Sequence, residues 1–308
     1  MKFLCLPGAY CSAKYPLVGP GPFISSLQQN GEANFKFVQG EIEVHPPEEH
    51  AAFFGPPPYY SFCQAGKGDL GKFNMSDFPK RESPEVSMRE AIELADNPEY
   101  LHVAPVLDRL IKIIDEDKDI EAVIGYSEGA QIAATLLIEE ERRRKEQGRE
   151  PRLKFAILFS GWPPLDPIKG HIMVGDEDSD EYEISIPTCH VIGAQDPFLD
   201  GSMVLYNMCD PDTSEIYDHG GGHMIPRVKK TVDDLASFVR EQMDMIVADS
   251  FHLRRIDLTI QSPKATITPN TIIPITVPKT DTKVNVLTLQ PNGKALSSQR
   301  SVEASGQI

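Results

Sequence analysis

The chain has 308 residues, 40% hydrophobic and 25% charged, with 46 acidic against 30 basic side chains and a net charge of −16. That length suffices for one large α/β domain with a full core, or for two small ones. The acidic balance argues against nucleic acid as a partner, because neutralising phosphates needs a basic face, and no apolar run is long enough to span a membrane.

The N-terminal stretch Met1–Gly8 has an apolar part too short for a signal peptide and reads as a first strand, Lys2–Leu6. After it, apolar runs alternate with helical patterns. In chain order we expect a helix over Gly21–Asn30, a strand over Phe35–Val38, helices over Val86–Ala95 and Tyr100–Glu116, a strand over Ala122–Tyr126 and a helix over Glu128–Gln147. Strands Lys154–Phe159 and Thr188–Gly193, helix Gly201–Cys209, strand Glu215–Tyr217 and helix Pro226–Val247 complete the body. Such alternation is the signature of a mostly parallel sheet with helices on both faces, an α/β fold. The helix over Glu128–Gln147 begins apolar and ends in a charge run, so its first half should pack on the sheet and its second half should project into water. Between sheet elements lies an aromatic, proline-stiffened loop, residues 51–62. Its Tyr59, Tyr60 and Phe62, with Trp162 further on, either wall an apolar pocket or anchor the loop to the core.

Near Asp249 the composition changes. Residues 251–308 hold seven basic and three acidic side chains and no Cys, Trp or Tyr, leaving 43 acidic and 23 basic groups in the first 250 residues. We divide the chain into a catalytic body, 1–248, and a basic extension rich in Thr and Pro, 249–308, expected to be poorly ordered. The segment Thr271–Val277 has strand-forming residues, but its proline limits it to an edge strand. No internal repeat is visible. The five cysteines, Cys5, Cys11, Cys63, Cys189 and Cys209, are odd in number and lack metal-ligand spacing, which fits reduced thiols in a cytoplasmic setting.

The most informative segment is Val123-Ile124-Gly125-Tyr126-Ser127-Glu128-Gly129-Ala130, a strand running through G-x-S-x-G into a helix. A serine on such a turn projects its hydroxyl above the sheet edge, and the glycines supply the missing bulk. The hydroxyl needs a base in hydrogen-bond reach and a third group to orient that base. In the α/β-hydrolase arrangement these follow as Ser, then acid, then His, each after a strand. Asp196 ends the strand Thr188–Gly193 and precedes a proline, so it is preferred as the acid over Asp166 and Asp200. His223 lies deep in the glycine loop ahead of the last helix and is preferred as the base over His219. The three glycines between the two histidines make a helical zinc pair improbable, and the acidic run Asp176–Glu181 lacks the glycine and terminal Glu of a calcium loop. Backbone donors for the developing oxyanion are expected from the N–H of Glu128 and from that of Ala9 or Tyr10 after the first strand. The Glu128 side chain is expected to do no more than favour the helix N-terminus. This chemistry requires no metal and no organic cofactor.

These residues resemble the fungal serine hydrolase family, small α/β-hydrolases that include trans-acting polyketide thioesterases. The resemblance covers most of residues 1–248. It rests on Pro7-Gly8-Ala9, Pro58 through Phe62, Gly125 through Ala130, Ile186 through Asp196-Pro197, and Gly221-Gly222-His223 with Pro226. Family members commonly carry His-Gly in the oxyanion loop, where this chain has Pro7-Gly8. The resemblance implies Ser127 as nucleophile, Asp196 as orienting acid and His223 as base. It also implies a hydrolase of acyl esters or thioesters that releases a polyketide chain from a synthase's acyl carrier domain in secondary metabolism. Two other readings stay open: a general short-chain carboxylesterase with no carrier partner, and a catalytically silent hydrolase fold that binds a ligand.

Overall fold

The computed structural model describes residues 1–11, 21–29, 31, 33–48, 51, 54–68, 70, 77–149, 151–175, 184–260, 285–289 and 295–299. Strand β1 (Lys2–Leu6) shows how the sequence builds the sheet. Successive side chains point to opposite faces, so Phe3 and Cys5 enter one core layer and Leu4 and Leu6 the other. All four are essentially inaccessible, which is why the run reads as continuously apolar rather than alternating. The same holds for β7 (Ile120–Tyr126), β8 (Phe155–Phe159) and β9 (Thr188–Ile192).

With β2 (Asn34–Phe37) and β10 (Ser214–Asp218), these strands form one six-stranded sheet in the order β10-β9-β8-β7-β1-β2, every pairing parallel. On one face, helix α1 (Gly21–Gln28) supplies Phe23 and Leu27, and the last helix of the body, α6 (Lys229–Ile260), supplies Val232, Leu235 and Val239. On the other face lie α2 (Pro84–Leu94), α3 (Val103–Glu116), α4 (Glu128–Gln147) and α5 (Leu199–Asn207), contributing Met88, Leu107, Leu110, Ile132, Leu136 and Leu205. The chain leaves β1 to one side for β2 and later returns on its other side as β7. In open parallel sheets ligands bind at such a reversal, outside the C-terminal ends of the strands on either side of it, here β1 and β7.

The structure adds elements that periodicity did not reveal. Strand β3 (Ile42–Val44) pairs antiparallel with β4 (Tyr59–Ser61), so the end of the aromatic loop is a strand. Strand β5 (Gln64–Lys67) pairs with β6 (Glu99–Leu101). The helix expected over Tyr100–Glu116 therefore starts later. Tyr100 and Leu101 belong to β6, and His102 takes a left-handed φ of 67° that separates strand from helix. Helix α2 begins before Val86 because Ser83 caps it, accepting a hydrogen bond from Val86 N, and Pro84 suits the first turn. The charged half of α4 is not simply solvated. Glu139 is buried between Arg142 and Arg143, and Glu140 is buried accepting from the backbone N–H groups of Arg152 (2.8 Å) and Leu153 (3.2 Å).

The chain separates into two compact units, Met1–Asp257 and Leu258–Ile308. In the second, β11 (Asn285–Leu289) pairs antiparallel with β12 (Ala295–Gln299). The Thr271–Val277 segment lies outside the described residues.

Candidate active site

Ser127 joins β7 to α4 with φ 53° and ψ −118°, a conformation that costs about 1–3 kcal/mol for a residue with a side chain. The surroundings hold it there. Its N–H donates to Phe159 O (2.9 Å), and its carbonyl accepts from Ala130 N (3.0 Å) and Gln131 N (3.1 Å). The flanking glycines are required by close approach. A Cβ on Gly125 would lie 2.4 Å from Ala130 Cα, and one on Gly129 would lie 2.1 Å from Leu6 O. The second contact also fixes the helix start against the loop that follows β1.

The loop after β10 brings His223 over this serine. Its Nε2 is 3.0 Å from Ser127 Oγ, and its Nδ1 is 2.8 Å from Asp196 Oδ2. The three side chains come from turns after β7, β9 and β10, far apart in sequence and adjacent in space. The loop is braced by its own polar groups: Asp218 Oδ1 accepts from Gly220 N (2.7 Å) and Ala194 N (3.0 Å), and Gln195 N donates to Gly221 O (2.9 Å). Tyr126, next to the serine, donates its hydroxyl to His223 O (3.2 Å). His219 stays apart from the serine. Its Nδ1 accepts from Gly221 N (3.2 Å), and burial lowers its basicity against the opposing pull of Asp218 and Asp196.

Asp196 is 5% exposed, and both of its oxygens are engaged, Oδ2 by His223 and Oδ1 by Phe198 N (2.9 Å). Burial by itself would raise its carboxyl. The bond and charge of His223, the Phe198 N–H and the nearby Ser160 hydroxyl outweigh that and hold it below the usual carboxylate range. Ser160 is buried at a positive φ of 43° just after β8, with no partner at hydrogen-bond geometry for its Oγ among the described residues. The rival acids do other work. Asp166 accepts from the N–H groups of Ile168 (2.8 Å) and Lys169 (2.7 Å) in a tight turn, and Asp200 pairs with Lys80 at 3.4 Å. The Asp176–Glu181 run lies outside the described residues. Among the described residues no three His, Cys, Asp or Glu side chains are grouped as metal ligands.

Glu128 opens α4, so its N–H has no partner in a preceding helical turn and sits at the positive end of the helix dipole. Across from it runs the loop after β1, where Tyr10 has a φ of 62° and Cys11 bridges to Tyr60 of β4. The Glu128 side chain does more than the sequence suggested. It turns toward the end of β4 and accepts from Phe62 N (3.1 Å), Cys63 N (3.1 Å) and the Ser61 hydroxyl.

An apolar wall stands beside the imidazole. The Phe198 ring meets His223 edge-on with centroids 5.6 Å apart, and Trp162 (5.2 Å) and Phe78 (5.5 Å) pack on Phe198. Trp162 thus reaches the imidazole only through Phe198. Phe62 does not form part of an open wall, since it is 1% exposed within the core. Tyr59 donates its hydroxyl to Gly55 O (2.7 Å), and Tyr60 serves the Cys11 bridge. Sequence reasoning missed Phe198, Phe78, Tyr126 and Ser160. Phe198 stands two residues after Asp196 and Tyr126 directly before Ser127, so proximity to the motifs was a usable signal for both. Phe78 arrives by folding alone.

A family model described as "Serine hydrolase (FSH1)" matches residues 1–235. The chain belongs to this serine hydrolase family. Its relatives include "Hydrolase phiM" of Talaromyces stipitatus, 26% identical over 246 residues that make up 77% of this chain and 85% of the relative. "Esterase FPY3" of Fusarium mangiferae is 31% identical over 146 residues, 45% of this chain, and the chain spans 64% of that esterase's length. Among solved structures, this serine hydrolase is similar to a Bacillus cereus carboxylesterase, with 19% identity, a TM-score of 0.42, and coverage of 78% of this chain and 88% of the other. No helix among its described residues is long and apolar enough to cross a membrane.

Proposed function

We propose that this serine hydrolase cleaves acyl esters or thioesters through an acyl-enzyme on Ser127. The observation that carries this reading is the hydrogen-bonded line from Asp196 through His223 to the Ser127 hydroxyl. With the Asp196 carboxylate accepting from Nδ1–H, the neutral imidazole keeps Nε2 free to accept the serine proton. As Oγ bonds to the substrate's carbonyl carbon, that proton moves to Nε2, and Asp196 stabilises the resulting imidazolium. Negative charge collects on the former carbonyl oxygen, where the N–H groups of Glu128 and of Ala9 or Tyr10 would receive it. Collapse breaks the C–O or C–S bond, and His223 returns its proton to the leaving group. Water, deprotonated by the same imidazole, then repeats the attack and releases the carboxylic acid.

For the substrate we propose an acyl chain with apolar or aromatic character. The partly exposed Phe198 beside the imidazole, with Trp162 packed on it and Phe78 behind them in the core, supports this, as does the resemblance to polyketide thioesterases. On this reading the acyl donor is a carrier-bound thioester on a synthase's acyl carrier domain, and its release is a step of secondary metabolism. Ser127→Ala tests the chemistry. It should abolish labelling by a fluorophosphonate probe and lower ester turnover by several orders of magnitude, whereas retained labelling rejects Ser127 as nucleophile. Turnover on phosphopantetheine-linked acyl chains, compared with simple aryl esters of the same chain, tests the donor. Equal or lower efficiency on the carrier-linked form counts against a carrier partner.

A further inference from the structure

Glu128 poses a chemical problem. A carboxyl one residue from the nucleophile would repel the charge that develops on the substrate oxygen if it faced the site. Instead it turns toward the end of β4, where Oε1 accepts from Cys63 N (3.1 Å), Phe62 N (3.1 Å) and the Ser61 hydroxyl, and Oε2 also accepts from Phe62 N (3.2 Å). Removal from water pushes this carboxyl above the ordinary carboxylate range, while the bonds from Ser61, Cys63 and Phe62 oppose the shift. Turning the carboxyl away from the site and favouring its neutral form both limit repulsion at the reacting centre.

The segment that Glu128 grips is connected further. Tyr60, next to Ser61, bridges to Cys11, which directly follows Ala9 and Tyr10. The Cys11 thiol is pushed up to about 12 by burial, with the charge of Glu128 adding to the shift and the neighbouring Gly8 backbone opposing it. On its other side the loop is set by Leu6 O and Pro7 O, which abut Gly129 so closely that a Cβ there would lie 2.1 Å and 2.5 Å from them. One side chain thus ties the residue whose N–H serves one side of the oxyanion position to the loop that serves the other.

We infer that the Glu128 side chain is a positioning residue that sets the distance between the two backbone donors of the oxyanion hole, acting through Ser61–Cys63 and the Tyr60–Cys11 bridge. This rests on the hydrolase reading above. The two donors come from separate loops, and catalytic donors must hold their place to within about 0.5 Å. Losing one such donor outright costs about a hundredfold or more in kcat, so misplacing one should cost roughly tenfold.

The test compares Glu128→Ala, Glu128→Gln and Ser61→Ala on a 4-nitrophenyl ester, with kcat expressed per site titrated by a fluorophosphonate. We expect kcat in E128A to fall at least tenfold with KM changed less than twofold, and E128Q, which keeps the acceptor oxygen, to recover to within about threefold of the native enzyme. S61A should lose threefold or more in kcat at unchanged KM, and it decides the matter if E128A does not fold. A smaller fall per titrated site, a loss confined to KM, or an E128Q as impaired as E128A overturns the inference. Loss of the hydrolase reading itself would appear differently, as full turnover in S127A.

Discussion

Replacing Asp196 by Asn tests the hydrogen-bond bookkeeping of the site at one atom. Asp196 Oδ1 accepts from Phe198 N at 2.9 Å while Oδ2 accepts from His223 Nδ1 at 2.8 Å. Asn has a single acceptor oxygen. If that oxygen stays with Phe198, the amide NH₂ faces Nδ1 and forces the imidazole into the tautomer whose Nε2 carries a proton and cannot accept from Ser127. If the amide flips, its NH₂ opposes the Phe198 N–H and leaves a buried donor unpaired at about 1–3 kcal/mol. The anion that stabilises the imidazolium is lost in either case. Together these effects amount to about 4–5.5 kcal/mol of transition-state stabilisation, a fall in kcat of roughly 10³ to 10⁴, in line with the ~10⁴ that Asp→Asn costs in a Ser-His-Asp triad elsewhere. The assay is steady-state turnover of an activated aryl ester, with KM expected to move little and circular dichroism verifying the fold. Turnover of D196N within tenfold of the native enzyme would refute the assignment of tautomer control to Asp196.

Two further substitutions probe the scaffold. His190 is buried with Nε2 3.0 Å from Thr188 Oγ1, and burial pushes its imidazole down to about 3. A value depressed below the unfolded ~6.5 means that the unfolded chain takes up the proton first. This contribution is therefore complete above about pH 6.5 and shrinks toward pH 3, by about 3 kcal/mol at pH 4. His190→Gln should flatten the dependence of the urea midpoint on pH between 6.5 and 4, and parallel curves for the two proteins would contradict this. Gly129→Ala sets a methyl 2.1 Å from Leu6 O. Overpacking of this kind costs about 1–3 kcal/mol or more, against a helix-propensity gain of at most about 1 kcal/mol. Calorimetry should show Tm lower by several degrees, whereas an unchanged or raised Tm would mean that the loop after β1 yields freely.

The sequence by itself determined the parallel α/β body, the span of α4 and the candidates for the three residues that meet at the site, with His223 preferred to His219 as the third. These properties are written locally. Strands buried on both faces read as continuous apolar runs, and a serine elbow needs glycines at fixed spacing. An acid and a histidine that follow later strands arrive at the same sheet edge by topology. Only the tertiary structure decided the rest, because the rest depends on partners remote in the chain. It turned His223 toward Ser127 and left His219 bonded to Gly221 N, a geometry that the preference for the deeper histidine anticipated but that the Asp218-braced loop had to fold to produce. It made Phe62 core and put Phe78 and Phe198 around Trp162, because an aromatic's neighbours come from other elements. It buried Glu139 and Glu140 within what reads as a solvated charge run, because their compensating groups come partly from residues 149–153. And it turned the Glu128 carboxyl toward β4, where donors 65 to 67 residues away satisfy it.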